Sequence, residues 1–474
     1  MTKAKKKTYL ERMRDGEELS VAQQIAMIFE LSIPAILAQI SNLIMQYIDA
    51  SMVGRMGQEA SAAIGLVSSS TWLCYGLNMA AATGFTVQIA KRIGAKDEKG
   101  ARNVVKLGLV CITVFSCVLA AIGAAISGAL PVWLGGGSSI TKSASIYFLV
   151  FALSLPCVGL NQASVGMLQC SGNMKLPGIL EIMMCFLDVV FNAVLIFPTR
   201  IIAIGGISFT VFGAGLGVMG AALGTALAEV VTMIPLLYFL LIRKNPLSLR
   251  KSEHLVWNPY DMRIALTIAV PVALEQTITC GAYIAFTRIV SPLGAVALAA
   301  NSFAITAESL CYMPGYGIGA SATTIIGQCI GAKRSDITKH LGRLTTLIGI
   351  FVMSVTGGLM YIFAPQMIGL LTPDTAIRKL GSEVLRIEAF AEPMYAASIV
   401  ASGVFKGAGD TMVSGVLNFV TMWIVRIPLA AILAPKLGLR GIWTAMCIEL
   451  CVRGILFLIL LGTRFRKKAE SGKY

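Results

Sequence analysis

The sequence predicts an all-α polytopic membrane protein of about twelve transmembrane helices, arranged as two homologous six-helix lobes. Three observations carry this. Hydrophobic residues make up 56% of the 474 and charged residues only 13%, with a mean hydropathy of +0.78, whereas a soluble domain carries about 25% charge. Charge-free runs such as Ser61–Ala90, Leu107–Thr141 and Leu344–Pro373 each exceed the roughly 20 residues that span the hydrocarbon core. The chain also repeats itself. PAILAQ at Pro34–Gln39 returns as PVALEQ at Pro271–Gln276, an offset of 237, half the chain length. The same offset carries Gly57 onto Gly294, Lys96 onto Lys333, Pro156 onto Pro393 and Gly172 onto Gly409.

In chain order, residues 1–23 form a polar tail without the apolar core of a secretion signal. It is expected to be solvated and to lead into an interfacial helix. The N-terminal lobe, 24–242, holds spans near 24–50, 60–90, 103–128, 143–169, 176–198 and 217–242. A polar linker at 243–260 joins it to the C-terminal lobe, 261–463. Spans there are expected near 263–290, 297–327, 338–364, 379–405, 412–434 and 438–462, followed by a tail at 464–474. Basic residues of both tails, of the linker and of the loops at Lys91–Lys99 and Lys333–Lys339 all fall on one side. By the positive-inside rule both termini are cytoplasmic, in a cell membrane that is expected to be a bacterial plasma membrane. Six spans return the chain to its starting side, so the copies share one orientation, as a parallel repeat about an axis along the membrane normal. After span five the offset falls from 237 to 221, where Gly217 answers Gly438. The first copy thus holds an insertion, within PTRIIAIGGISFTVFGAG (Pro198–Gly215), read either as a hairpin cap or as a plain surface loop. Pro34 and Pro271 sit inside equivalent spans and are expected to kink them.

The net charge of +15 sits in short loops, so no nucleic-acid partner is expected. The 11 cysteines form no CxxC pair and read as small apolar packers. Both histidines, His254 and His340, lie in predicted loops, and no GxxxxGK[ST] phosphate loop occurs. The chain therefore reads as no enzyme, with no cofactor, and any energy must come from an ion gradient.

Ionisable side chains deep in a span are costly and mark candidate sites. In the first copy they are Asp49, Asp188 and Glu229. In the second they are Glu275, Glu308, Glu388, Glu392, Arg426, Glu449 and Arg453. Acids outnumber bases, which favours cations in a central cavity. Asp188 and Asn192 share one helix face at i and i+4. With Asp49, and with Asn161 and Gln162 in span four, they form an oxygen-rich cluster able to hold a proton or Na⁺. The alternative is a hydrogen-bond network that only fastens the bundle. Glu275 joins the ion-coupling set, and no metal other than Na⁺ is expected. Gln39, Gln162, Gln276, Glu308 and Glu392 are placed on the substrate cleft. Glu449 and Arg453 read as an internal salt bridge, as does Arg426 with Glu388 or Glu392.

Four stretches carry a family resemblance: IDASMVGRMG (Ile48–Gly57), LDVVFNAVLIF (Leu187–Phe197), GYGIGASATTIIGQCIGAKR (Gly315–Arg334) and GVFKGAGDT (Gly403–Thr411). Together with the six-plus-six duplication, the chain resembles the multidrug and toxic compound extrusion (MATE) family nearly end to end. The resemblance implies a V-shaped pair of lobes whose cleft opens alternately to either side. It implies export of organic cations in exchange for Na⁺ or H⁺. Asp49 matches the family's acidic residue in span one. In span five the family's Asn-then-Asp order is reversed, as Asp188 then Asn192. Glu275 resembles an acidic residue of span seven. Tyr395 stands where the family has an acid in span ten, with Glu392 one turn earlier as a substitute, and Tyr395 is also placed on the cleft. The expected partners are small organic cations and membrane lipids, with the protein acting as a monomer. Two other readings compete. A lipid-linked sugar flippase of a related fold should line its cleft with Arg or Lys. A channel or scaffold would not need the paired prolines.

Overall fold

The structure is a computed structural model that describes residues 7–204, 207–250, 253–465 and 467. Residues 1–6, 466 and 468–474 of the two expected tails lie outside it. Each lobe contains six membrane-crossing segments. In the N-terminal lobe these are α2 (Val21–Gly54), α3 (Gln58–Gly94), α4 (Glu98–Ile126), α6 (Ser138–Cys170), α7 (Lys175–Ile196) and α8 (Val218–Leu241), with a short α5 (Leu130–Trp133). The C-terminal lobe has α9 (Pro259–Val290), α10 (Ala295–Gly331), α11 (Ser335–Leu371), a pair α12 (Thr375–Glu388) and α13 (Glu392–Ala408), a segment made of α14 (Thr411–Phe419) and α15 (Ile427–Leu437), and α16 (Leu439–Leu460). Ten of these segments are long and apolar enough on composition alone to cross a membrane. The exceptions are α3, whose Ser68-Ser69-Ser70-Thr71 run dilutes its hydropathy, and the divided α12–α13. Large apolar side chains such as Phe186, Ile234 and Phe351 stand exposed on the outer surface, as lipid contact requires.

The duplication is written into the backbone. Gly57 and Gly294 open α3 and α10 at φ +112° and +93°, and Gly217 and Gly438 open α8 and α16 at +57° and +59°. Lys96 and Lys333, just past the ends of α3 and α10, both adopt the left-handed conformation, at φ 60° and 56°. Few non-glycine residues do so, so a shared exception at the internal offset marks a shared turn. The copies also differ. Pro156 lies inside an unbroken α6, whereas Pro393 begins α13 after a break at 389–391. Span ten, expected to be continuous, is two helices. A π-helical turn, Val420–Arg426, interrupts the eleventh span ahead of Pro428. The insertion forms the hairpin, β1 (Pro198–Ile204) with β2 (Ile207–Ala214), antiparallel and irregular between Pro198 and Arg200.

The lobes meet on the face where α3 ends at Gly94 and α10 at Gly331. There α3 and α10 cross so closely that a Cβ on Gly94 would stand 2.2 Å from the Gln328 carbonyl oxygen. Gln88 donates to the Asp261 carbonyl at 3.1 Å, Gln328 to that of Cys170 at 2.9 Å and Lys91 to that of Ala408 at 2.7 Å. Arg92 pairs with Asp261. The linker is pinned to α4, where buried Arg102 grips Glu253 at 2.7 and 2.9 Å and holds that carboxyl below its usual range.

The N-terminal tail departs from expectation. Residues Tyr9–Arg14 form a helix, α1, capped by a reciprocal Thr8–Glu11 box. Leu10 and Met13 are buried because they point into the seam between the lobes. Leu10 lies over Gly172, and the Met13 sulfur rests 3.5 Å from Cys329 of α10. Asp15 binds Lys96 of the N-terminal lobe at 2.7 Å, while Arg334 of the other lobe donates to the Met13 carbonyl at 3.2 Å. The segment is a clasp across both lobes.

Candidate ion and substrate sites

In the N-terminal lobe α2, α7 and α8 converge on one amide. Asn192 on α7 donates to Asp49 Oδ1 at 2.8 Å and to Asp188 Oδ2 at 3.0 Å. Asp188 is fully buried and Asp49 half-buried. The arrangement depends on Gly224 of α8. A Cβ there would fall 2.0 Å from Asn192 Oδ1, so only glycine lets the amide stand between the two acids. Asp188 Oδ1 and Asn192 Oδ1 are buried and receive no hydrogen bond among the described residues. No lysine or arginine of the described residues forms an ion pair with either acid. Two carboxylates and two open acceptor oxygens form a site short of positive charge, which a proton or Na⁺ can supply.

The structure places Asn161 elsewhere. Its amide donates to the Glu229 side chain and, at 2.8 Å, to the Glu229 carbonyl. With Tyr75, Gln162 and Glu181 these residues line a cavity of about 40 Å³. Glu181 escaped the sequence reading because it lies near the start of its predicted span; only two turns of α7 precede it. Asn42, also in this cavity, accepts from Cys185 at 3.3 Å. Glu229 is a mid-span acid in the sequence, and nothing in the linear pattern says that it faces Asn161.

Glu275 lies apart from Asp49, in the C-terminal lobe, where it accepts from Asn418 at 2.6 Å. Behind it Glu449 takes four bonds of 2.6–2.9 Å from Arg426 and Arg453. The Glu449–Arg453 bridge is present, and Arg426 joins it instead of Glu388 or Glu392. Those two acids are wholly buried at the break between α12 and α13. Glu308, Tyr312 and Tyr395 line a second cavity, of about 40 Å³, together with Tyr283, Arg426 and Arg453. Of the remaining cleft residues, Gln276 touches Gly76 across the lobe boundary and Gln39 is half-buried on α2. Pro34 and Pro271 lie inside unbroken helices, each against a glycine of its own lobe: the Pro34 carbonyl abuts Gly178, and that of Pro271 approaches Gly415.

Two repeated six-span lobes with carboxylates buried between their helices define a multi-pass membrane transporter. The MatE family model matches residues 34–195 and 271–432, one match per lobe at the offset of 237. The chain belongs to that family. It is similar to a probable multidrug resistance protein NorM of Thermotoga maritima, 24% identical with 93% of each chain covered. It is also similar to a probable multidrug resistance protein YoeA of Bacillus subtilis, 23% identical over 87% of this chain and 88% of that one. Its fold matches an outward-facing multidrug resistance MATE family transporter with a TM-score of 0.88, 21% identity and 99% of both chains covered. A MOP superfamily transporter from Pyrococcus furiosus matches with a TM-score of 0.87 and 20% identity, over 99% of this chain and 100% of that one.

Proposed function

We propose that this protein is a secondary antiporter that exports amphipathic, mainly cationic organic compounds in exchange for H⁺ or Na⁺, by alternating access. The observation that carries the reading is the Asp49–Asn192–Asp188 cluster, with its open acceptor oxygens and no paired cation. The relatives named as multidrug resistance proteins support export of drugs as the task. Acids that outnumber bases in the N-terminal lobe support cationic cargo.

In this scheme the basic loops place the terminal face in the cytoplasm, and the structure is closed on that face by α1, Arg92–Asp261 and the α3–α10 crossing. Ion entry from outside neutralises the cluster and relieves two carboxylates held on one amide. The charge change alters how α2 and α7 pack about Pro34 and Gly178, and cargo leaves outward. Coupling requires that ion and cargo favour different states. The test is transport of a fluorescent organic cation in proteoliposomes, with either a Na⁺ or a proton gradient imposed. Accumulation of the dye against its concentration under one gradient supports the reading and identifies the ion. Dye movement that follows only its own gradient contradicts it.

A further inference from the structure

Most basic residues gather on the face of the α3–α10 crossing, but a second group lies on the opposite face, where α11 ends and α12 begins. There α12 buries Val384, Leu385 and Glu388 within its lobe and leaves Arg378, Lys379 and Arg386 exposed. Arg378 and Arg386 are eight residues apart and so share one helix face. Glu383, the acid between them, is taken by Arg440 of α16 at 2.6 Å. Arg378, Lys379 and Arg386 form no ion pair among the described residues.

Both arginines are held against α11 by backbone carbonyls. Pro365 lies inside α11 and has no N–H, so the Tyr361 carbonyl four residues earlier lacks its helical donor. Arg386 Nε takes that place at 3.3 Å, with its guanidinium carbon 5.6 Å from the centre of the Tyr361 ring. Phe390 stands edge-on to the same ring, with centres 5.7 Å apart. Arg378 Nε donates to the Pro365 carbonyl at 2.9 Å, and its guanidinium lies over Gly369. The two carbonyls are one turn apart, about 6 Å along α11, which brings both guanidinium groups within reach of one small anion. Their Nη groups make no hydrogen bond among the described residues. The other copy has none of this. At the offset of 237, Tyr361, Pro365, Arg378 and Arg386 answer to Ala124, Gly128, Thr141 and Leu149. The proline that frees a carbonyl and the arginine that takes it occur together in one lobe.

The surroundings are those of lipid: Ile362 is 62% exposed, Phe390 70% and Tyr361 43%. An arginine on such a surface without an acid partner is costly unless its tip reaches a headgroup, and guanidinium forks fit phosphate oxygens. We infer that the groove between α11 and α12 is a binding site for an anionic phospholipid, with its phosphate between Arg378 and Arg386 and an acyl chain along Tyr361 and Phe390. Lys379 adds the charge that selects a net negative headgroup over a zwitterionic one. The site lies on the outer surface of the bundle, apart from Asp49 and both cavities, and stands without the antiporter reading.

The test is native mass spectrometry of the delipidated full chain in detergent, titrated with phosphatidylglycerol or phosphatidylcholine. The first phosphatidylglycerol should bind more tightly than the first phosphatidylcholine. Arg378→Gln combined with Arg386→Gln should weaken it roughly tenfold or more, as loss of two charged contacts implies. Pro365→Ala keeps every charge but returns an N–H to the Tyr361 carbonyl. It should weaken the lipid several-fold, and it stands in if the arginine pair does not fold. A control pair, Arg55→Gln with Lys142→Gln, removes the same charge from exposed positions on the same face of the other lobe and should leave the first lipid bound. The inference is overturned if the two lipids bind alike or if the control pair weakens binding as much. It is also overturned if the folded arginine variant, or Pro365→Ala in its stead, holds phosphatidylglycerol unchanged. The same spectra report any dimer, and a dimer abolished by the arginine pair would give this face to a second copy of the chain and overturn the lipid site.

Discussion

Replacing Gly224 by alanine tests whether the Asn192 amide holds the ion site together. The added Cβ would stand 2.0 Å from Asn192 Oδ1 and 3.0 Å from its backbone nitrogen, so the side chain must rotate away. Rotation breaks the interhelical bond to Asp49 Oδ1, 2.8 Å, and the bond within α7 to Asp188 Oδ2, 3.0 Å. Side-chain hydrogen bonds between membrane helices are worth about 0.6 kcal/mol on average and about 1.7 at most. Loss of two therefore costs roughly 1–3 kcal/mol. At about 1.4 kcal/mol per factor of ten, the apparent affinity for the coupling ion should weaken roughly fivefold to a hundredfold. The assay is the ion concentration that half-saturates gradient-driven transport in proteoliposomes. Gly65→Ala is the control, because a Cβ at that helical position meets nothing within 4 Å and transport should be unchanged. If Gly224→Ala transports with the half-saturation of the unmodified protein, the amide bridge does not organise the site.

Three further outcomes follow from the C-terminal ion cluster and the clasp. Glu449→Gln leaves buried Arg426 and Arg453 without their shared acid. It should cost about 3–5 kcal/mol, as breaking a buried pair does, and show as a marked fall in the thermal unfolding midpoint in detergent. Deleting the first 16 residues removes Met13 from over Cys329, which is fully buried. Labelling of Cys329 by a small thiol reagent, followed by mass spectrometry of that peptide, should rise as the terminal face opens more often. The clasp should be indifferent to pH from 8 to 5. Lys7 and Lys96 hold the Asp15 carboxyl down at about 2, so its contribution is complete above the ordinary carboxylate range of about 4 and is lost only as pH falls through about 2. Release of the clasp near neutral pH would contradict the pairing.

Much of the fold was legible because membrane spans announce themselves by length and apolarity, and because the copies were still aligned at one offset. The change of that offset located the hairpin. What stayed hidden depended on facts a linear pattern does not carry. Spacing at i and i+4 put Asp188 and Asn192 on one face of α7, but the rotation of one helix against another decides which neighbour a face meets. Asn161 therefore went to Glu229 on α8, and Arg426 to Glu449. The break at 389–391 was concealed because its counterpart Pro156 is accommodated in an unbroken helix. The clasp was missed because its tail is polar overall, and only Leu10 and Met13, one turn apart, carry the apolar face that buries it.

The most direct test of the account is gradient-driven efflux of an organic cation by Asp49→Asn and Asp188→Asn, compared with Glu275→Gln. Each Asp-to-Asn change keeps the shape of its side chain and removes its negative charge. The account predicts that each abolishes uphill transport while the protein still folds and binds dye, and that Glu275→Gln, whose carboxylate lies in the other lobe, retains coupling. Uphill transport surviving in both aspartate variants would contradict it.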